Sequence, residues 1–178
     1  MRDRWRSRLT LVLLAATSAA GCAVLHPGSL AFRVDHRLHF LSPADRSTVK
    51  APVRLRWTMQ DFAVRPPGSA PPSSAAGYFA VFVDQAPIKP GQTLKAVASG
   101  DPLCQQRQGC PDKAYLALHQ VYTTDRDSLT VPEVHALSTS NSSVQTHTFT
   151  VVLLDTAGRR IGESAWETDL RIPREVTS

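Results

Sequence analysis

The chain has 178 residues, 42% of them hydrophobic and 20% charged, and its 20 Lys and Arg against 15 Asp and Glu give a formal charge of +5. Four of the arginines (Arg2, Arg4, Arg6, Arg8) and one acid, Asp3, fall within the first 21 residues, so residues 22–178 carry sixteen basic and fourteen acidic groups. So balanced a remainder, with no aromatic and basic cluster, RNP-like run or helix-turn-helix pattern, argues against nucleic acid as a partner.

The four arginines precede an apolar run from Leu9 to Ala20, and Ala19, Ala20 and Gly21 lead into Cys22. An apolar run of about 12 residues falls short of the roughly 20 that a helix needs to cross a hydrocarbon core. The layout is that of a signal peptide ending in a cysteine, and it resembles a bacterial lipoprotein signal. That resemblance implies cleavage between Gly21 and Cys22, a diacylglycerol on the Cys22 sulfur, and attachment to a membrane of the cell envelope on its periplasmic or extracellular face. Ala19 departs from the leucine commonest at its place, which leaves two other readings: ordinary cleavage at an A-x-A-like site nearby, or an uncleaved anchor. No second long apolar run follows.

With residues 1–21 read as the signal, residues 22–37 read as a flexible tether, carrying Pro27 and Gly28 without clear periodicity. Residues 38–173 form one expected domain, and residues 174–178 a tail. Leu38 to Leu41 is a short apolar stretch, closed by the turn-rich Ser42 to Val49. Val53, Leu55, Trp57 and Met59 then alternate with Arg54, Arg56, Thr58 and Gln60, the period of a strand with one buried and one solvated face. The proline-rich run Arg65 to Gly77 lacks an apolar pattern and is expected to be a long mobile loop inside the domain.

Tyr78 to Val83 is apolar on both parities, as expected of a central strand. Asp84 to Pro87 turns the chain, and Ile88 to Leu94 is expected to return as an irregular edge. Ala114 to Tyr122 and Ser128 to Val131 read as strands. Glu133 to Leu137 fits a turn of helix or a strand, and the sequence does not decide which. Thr146 to Leu154, the turn Asp155-Thr156-Ala157-Gly158, and Arg160 to Ile172 read as a hairpin, with Trp166, Thr168, Leu170 and Ile172 on one face. No helix signal of ten or more residues occurs after the signal. About seven short strands predict an all-β, antiparallel sandwich.

Four phrases sharpen this: Leu41-Ser42-Pro43-Ala44-Asp45, Val49-Lys50-Ala51-Pro52-Val53, Tyr78 to Asp84, and Thr148 to Asp155. They resemble the opening, middle and end of bacterial immunoglobulin-like or fibronectin-III-like modules on exported proteins. The resemblance covers Leu38 to Pro173 and implies an immunoglobulin-like β-sandwich. It speaks to fold and not to activity.

Cys104 and Cys110 are the even pair left once Cys22 is assigned to the anchor. In an oxidising compartment they read as a disulfide closing a small polar loop, with a redox or metal role as the alternative. No G-x-S-x-G elbow is present, the hydroxyl-rich run Ser138 to Ser143 reads as a solvated loop, and no local pattern pairs two carboxylates. The expectation is therefore a non-catalytic protein without a cofactor, binding another envelope protein or a glycan through loops Arg65 to Gly77 and Gly100 to Asp112. The alternative is a small copper- or zinc-binding envelope protein using some of His26, His36, His39, His119, His135 and His147. No ligand set stands out, since His119 and His147 share strand parities with apolar neighbours.

Overall fold

The computed structural model describes residues 35–138 and 142–174. The signal, Cys22, His26, most of the tether and the last four residues lie outside the described residues, as does part of the Ser138 to Ser143 run. The described domain is mostly β, with two sheets, the larger curled into a half-barrel.

The smaller sheet contains β1 (Leu38–Ser42), β2 (Val53–Met59) and β6 (Ser128–Val131), in the order β1-β2-β6 and antiparallel throughout. The larger contains β3 (Ala63–Val64), β4 (Ala76–Val83), β5 (Val121–Thr124), β7 (Val144–Asp155) and β8 (Trp166–Pro173), in the order β3-β4-β7-β8. β5 pairs with β4 on the side away from β7, from Phe79↔Thr124 to Phe82↔Val121. The alternation in β2 becomes literal: Val53, Leu55 and Trp57 are buried while Arg54, Arg56 and Thr58 are exposed. Between the sheets these side chains meet Phe79, Val81 and Val83 of β4, Phe149, Val151 and Leu153 of β7, and Leu170 and Ile172 of β8. Trp57 lies edge-on to Phe79 at 5.2 Å, a favoured aromatic geometry.

After β1 the chain leaves the smaller sheet. The Val49 N–H donates to the Arg171 carbonyl and the Arg171 N–H to the Ser47 carbonyl, so residues 46–49 run parallel to β8 along its outer edge.

The opposite parity of β4 is buried for a separate reason. Tyr78, Ala80 and Phe82, with Val152 and Leu154 of β7, form a second apolar cluster with Leu116 and Ile88 on the outer face of the larger sheet. The segment between β4 and β5 supplies that cover. It contains a 3₁₀ turn at Leu94–Ala98, α1 (Pro102–Gln106) and α2 (Lys113–Leu118). Each helix is started by an aspartate: Asp101 accepts from Leu103 N–H and Cys104 N–H, and Asp112 from Tyr115 N–H. The strand expected over Ala114 to Tyr122 is thus corrected to α2 followed by β5. A helix of six residues displays less than two turns of periodicity, so its apolar residues read equally well as a strand. Ile88 to Leu94 likewise forms no strand; it is held by single contacts such as Gly91 N–H to the Arg160 carbonyl.

The hairpin from β7 has a longer connection than the sequence suggests. Asp155 Oδ1 accepts from Ala157 N–H and Arg159 N–H, and Gly158 takes the left-handed φ of 78°. The chain then breaks at Gly162 to Ser164 before β8 starts at Trp166. Buried Arg160 organises this break by donating to the carbonyls of Ile88 (2.6 Å) and Glu163 (3.0 Å).

Arg65 to Gly77, expected as mobile, is tied at several points. The Arg65 N–H donates to the Gly77 carbonyl, the Gly68 N–H to the Thr156 carbonyl, and the Thr156 hydroxyl to the Ala70 carbonyl at 2.7 Å. Asp35 to Arg37, placed in the tether by sequence, also hold to the domain. Trp166 Nε1 donates to the Asp35 carbonyl and the Ser164 hydroxyl to its carboxylate, both at 2.6 Å. Arg37 meets the same carboxylate at 2.7 Å.

Candidate binding cleft

At the end of the domain where β2 begins and β8 finishes, the sheets part into a cleft of about 960 Å³. Its position follows from the antiparallel register. Val53 opposes Val131 and Val144 opposes Pro173, so the starts of β2 and β7 and the ends of β6 and β8 converge there. Asp35, where the described chain begins, sits at the other end of the strands. β8 runs the eight residues from Trp166, next to Asp35, to Pro173 in the cleft, a length of roughly 20 Å.

His147 forms part of the cleft wall. It continues the inward parity of Phe149 and Val151 past the last core layer, and its side chain is only 3% exposed. Its Nδ1 lies 2.6 Å from Asp84 Oδ2, and the Thr148 N–H donates to Asp84 Oδ1 at 2.9 Å. Asp84 ends β4 with a left-handed φ of 56°, a conformation that aspartate tolerates better than most residues. A carboxylate only accepts, so Nδ1 carries the proton of this bond and the ring is held by Asp84. Among the described residues no group is hydrogen-bonded to Nε2.

The far wall is the segment Pro132 to Leu137, which the sequence left undecided. It is neither helix nor paired strand, and glutamines hold it. Gln120 Nε2 donates to the Glu133 carbonyl and Gln120 Oε1 accepts the His135 N–H at 3.2 Å. Gln145 Oε1 accepts the Leu137 N–H at 2.9 Å and Gln145 Nε2 donates to its carbonyl. The Tyr122 hydroxyl also donates to the Glu133 carbonyl, and burial pushes that phenol up from its ordinary pKa, keeping it a donor. Both glutamines are buried, and their amides stand in for a neighbouring strand.

Lys50 and Arg174 stand at the rim, exposed and without an ion pair among the described residues. Glu133 is the acid in the same wall, and Pro52, Pro132, Pro173 and Ile172 supply apolar surface. The arrangement therefore sets a buried imidazole in the wall, two cations and one acid at its edges, and aliphatic surface between.

The other sequence-nominated positions are dispersed. Cys104 and Cys110 are joined by a disulfide, Cα atoms 5.3 Å apart. It links the start of α1 to the loop beyond it and borders a second cleft of about 840 Å³ that includes Tyr78, Leu94 and Gly158. His36 and His39 are exposed near β1. His119 caps α2 and stacks on Tyr115 at 4.4 Å, so the strand parity assigned to it does not apply. His135 and His147 share the cleft, and among the described residues no group of three or more His, Cys, Asp or Glu side chains is placed to hold a metal ion. The pair Asp84–His147, 63 positions apart, carries no local sequence signal. What was legible was an inward-facing polar residue on an otherwise apolar strand.

No protein-family model, curated protein sequence or solved structure matches this chain.

Proposed function

We propose that this chain is a lipoprotein anchored through Cys22 to a membrane of the cell envelope, and that its domain is an immunoglobulin-like sandwich acting as a non-catalytic binding module. The strand order carries the fold part of this reading. β1, β2 and β6 in one sheet, and β4, β7 and β8 in the other with β5 beside β4, follow the A-B-E and C-F-G division of such modules. The shift of residues 46–49 from the first sheet to the edge of β8 agrees with it.

The functional part rests on one observation: the cleft, with Lys50 and Arg174 at its rim and without an ion pair among the described residues, lies at the end of the strands opposite Asp35. This reading takes the cleft as a contact surface beside the loops Arg65 to Gly77 and Gly100 to Asp112.

Two measurements on the full-length protein test this. Mass spectrometry of the mature N-terminus is expected to show a diacylglyceryl group on Cys22, with Cys22→Ala leaving the membrane fraction. A photo-crosslinking residue at Ala51, in the cleft, is expected to give a discrete adduct in cells, while one at Thr58, on the outward face of β2, gives none. An unlipidated mature protein removes the anchor, and equal or absent adducts at both positions remove the cleft.

A further inference from the structure

The wall Pro132 to Leu137 has two hydrogen-bonding edges, and the protein uses one. One glutamine holding the carbonyl of residue 133 and the N–H of residue 135 is the pattern by which a strand residue grips its parallel neighbour. Gln145 holds both backbone groups of Leu137. In an extended chain the groups of Val134 and Ala136 then point the opposite way. Among the described residues, these N–H and C=O groups have no protein partner, and both residues line the cleft. Val134 is anchored by packing against the core between the sheets. The segment is thus held on one edge and, among the described residues, has no partner on the other, which suits an added strand.

The remaining features of the cleft select what that strand carries. Lys50 and Arg174 outnumber Glu133, the one acid among the described lining residues, so a chain carrying carboxylates complements the excess. Buried His147, held by Asp84 on Nδ1, lines the same space. The walls contributed by Pro52, Pro132, Pro173 and Ile172 offer aliphatic surface, and among the described residues no Phe, Tyr or Trp lines the cleft for a sugar face to stack on. These features favour a peptide over a glycan.

We infer that the cleft is a docking site for an extended acidic segment of another protein, which adds as a strand along Val134 to Ala136 with its carboxylates on Lys50 and Arg174. This deepens the binding-module reading and rests on it.

The test uses the full-length chain in detergent micelles. Its probes are a fluorescent alternating Val-Asp octapeptide, its Val-Lys counterpart, a Val-Asp peptide N-methylated on its pairing edge, and tetragalacturonate. The acidic peptide is expected to bind saturably with a Kd below about 1 mM, and the basic and N-methylated peptides at least tenfold more weakly. The double variant Lys50→Glu, Arg174→Glu is expected to lose at least tenfold, whereas Arg54→Glu, Arg56→Glu, an equal charge change on the outward face of β2, stays within twofold. Hydrogen exchange at residues 132–137 is expected to slow on peptide addition.

Equal losses in the two double variants, binding indifferent to N-methylation, or unchanged exchange at 132–137 would each overturn strand docking. Cleft-dependent binding of tetragalacturonate without slowed exchange also overturns it, while leaving the module a binder of acidic glycan. If no probe binds and Ala51 still gives its cellular adduct, the acidic-strand inference fails and the binding module stands. Loss of the adduct as well ends both.

Discussion

Replacing Asp84 by alanine is expected to destabilise the domain by about 3 kcal/mol, a sum built from three parts. The first is the bond to His147 at 2.6 Å, in a ring 3% exposed; a hydrogen bond to a charged group contributes about 1.5–3 kcal/mol, and its loss leaves a buried N–H without a partner. The second is the bond from the Thr148 N–H at 2.9 Å, which lies at an accessible strand end where water substitutes, and it adds about 0.5 kcal/mol. The third is backbone: at φ 56° alanine meets a left-handed penalty of about 1 kcal/mol that aspartate partly escapes. For a domain of this size about 3 kcal/mol lowers Tm by about 10 °C. Asp84→Gly separates the parts, because glycine loses both bonds but not the left-handed conformation and should recover about 1 kcal/mol over alanine. Urea denaturation of the full-length protein measures all three chains at an unchanged m value. An alanine variant within about 0.5 kcal/mol of wild type would refute the view of His147 as held by Asp84. Equal alanine and glycine variants would refute the backbone contribution.

The other expectations concern acid, redox state, close packing and metal. Arg37 first, and Ser164 and backbone bonds with it, hold the Asp35 carboxyl well below the usual carboxylate range. A depressed folded pKa contributes stability that is complete above the unfolded value near 4 and is lost as pH falls toward the folded one. Asp35→Asn should therefore lower stability at pH 7, and the gap should close in denaturation curves taken below pH 4. Reducing Cys104–Cys110, or replacing both by alanine, opens a seven-residue ring and should remove about 2 kcal/mol on the chain-entropy model, read as a shift in urea midpoint. At Gly77 an added Cβ would run into the Leu154 carbonyl oxygen and approach Asp155 Cα to 2.8 Å, so Gly77→Ala should fail to accumulate as folded protein, as followed by near-UV circular dichroism. Protein purified without chelators should carry well under one copper or zinc per chain with an unmoved melting curve. Stoichiometric metal with a raised Tm would shift the function to a metal site on His135 and His147.

Much of the β framework is written locally. The Val53 to Met59 alternation, the two-sided apolar run of β4 and the Asp155 to Gly158 turn each depend on neighbours in the chain, because pleat and turn are short-range geometries. The helical cover is not read from the sequence: α1 and α2 are too short to show a helical period, and they persist by their Asp101 and Asp112 caps and by laying Leu116 and its neighbours on the outer face of the sheet.

The sequence by itself determined the mostly β character, the alternation that separates core from surface, and the even cysteine pair. Tertiary structure alone decided the cleft. Asp84 meets His147, Gln120 reaches Glu133 and His135, and Lys50 faces the same cleft as Arg174, over separations of 63, 13, 15 and 124 positions. Such pairings depend on which strand ends converge when two sheets close on a shared core, and no local propensity encodes that.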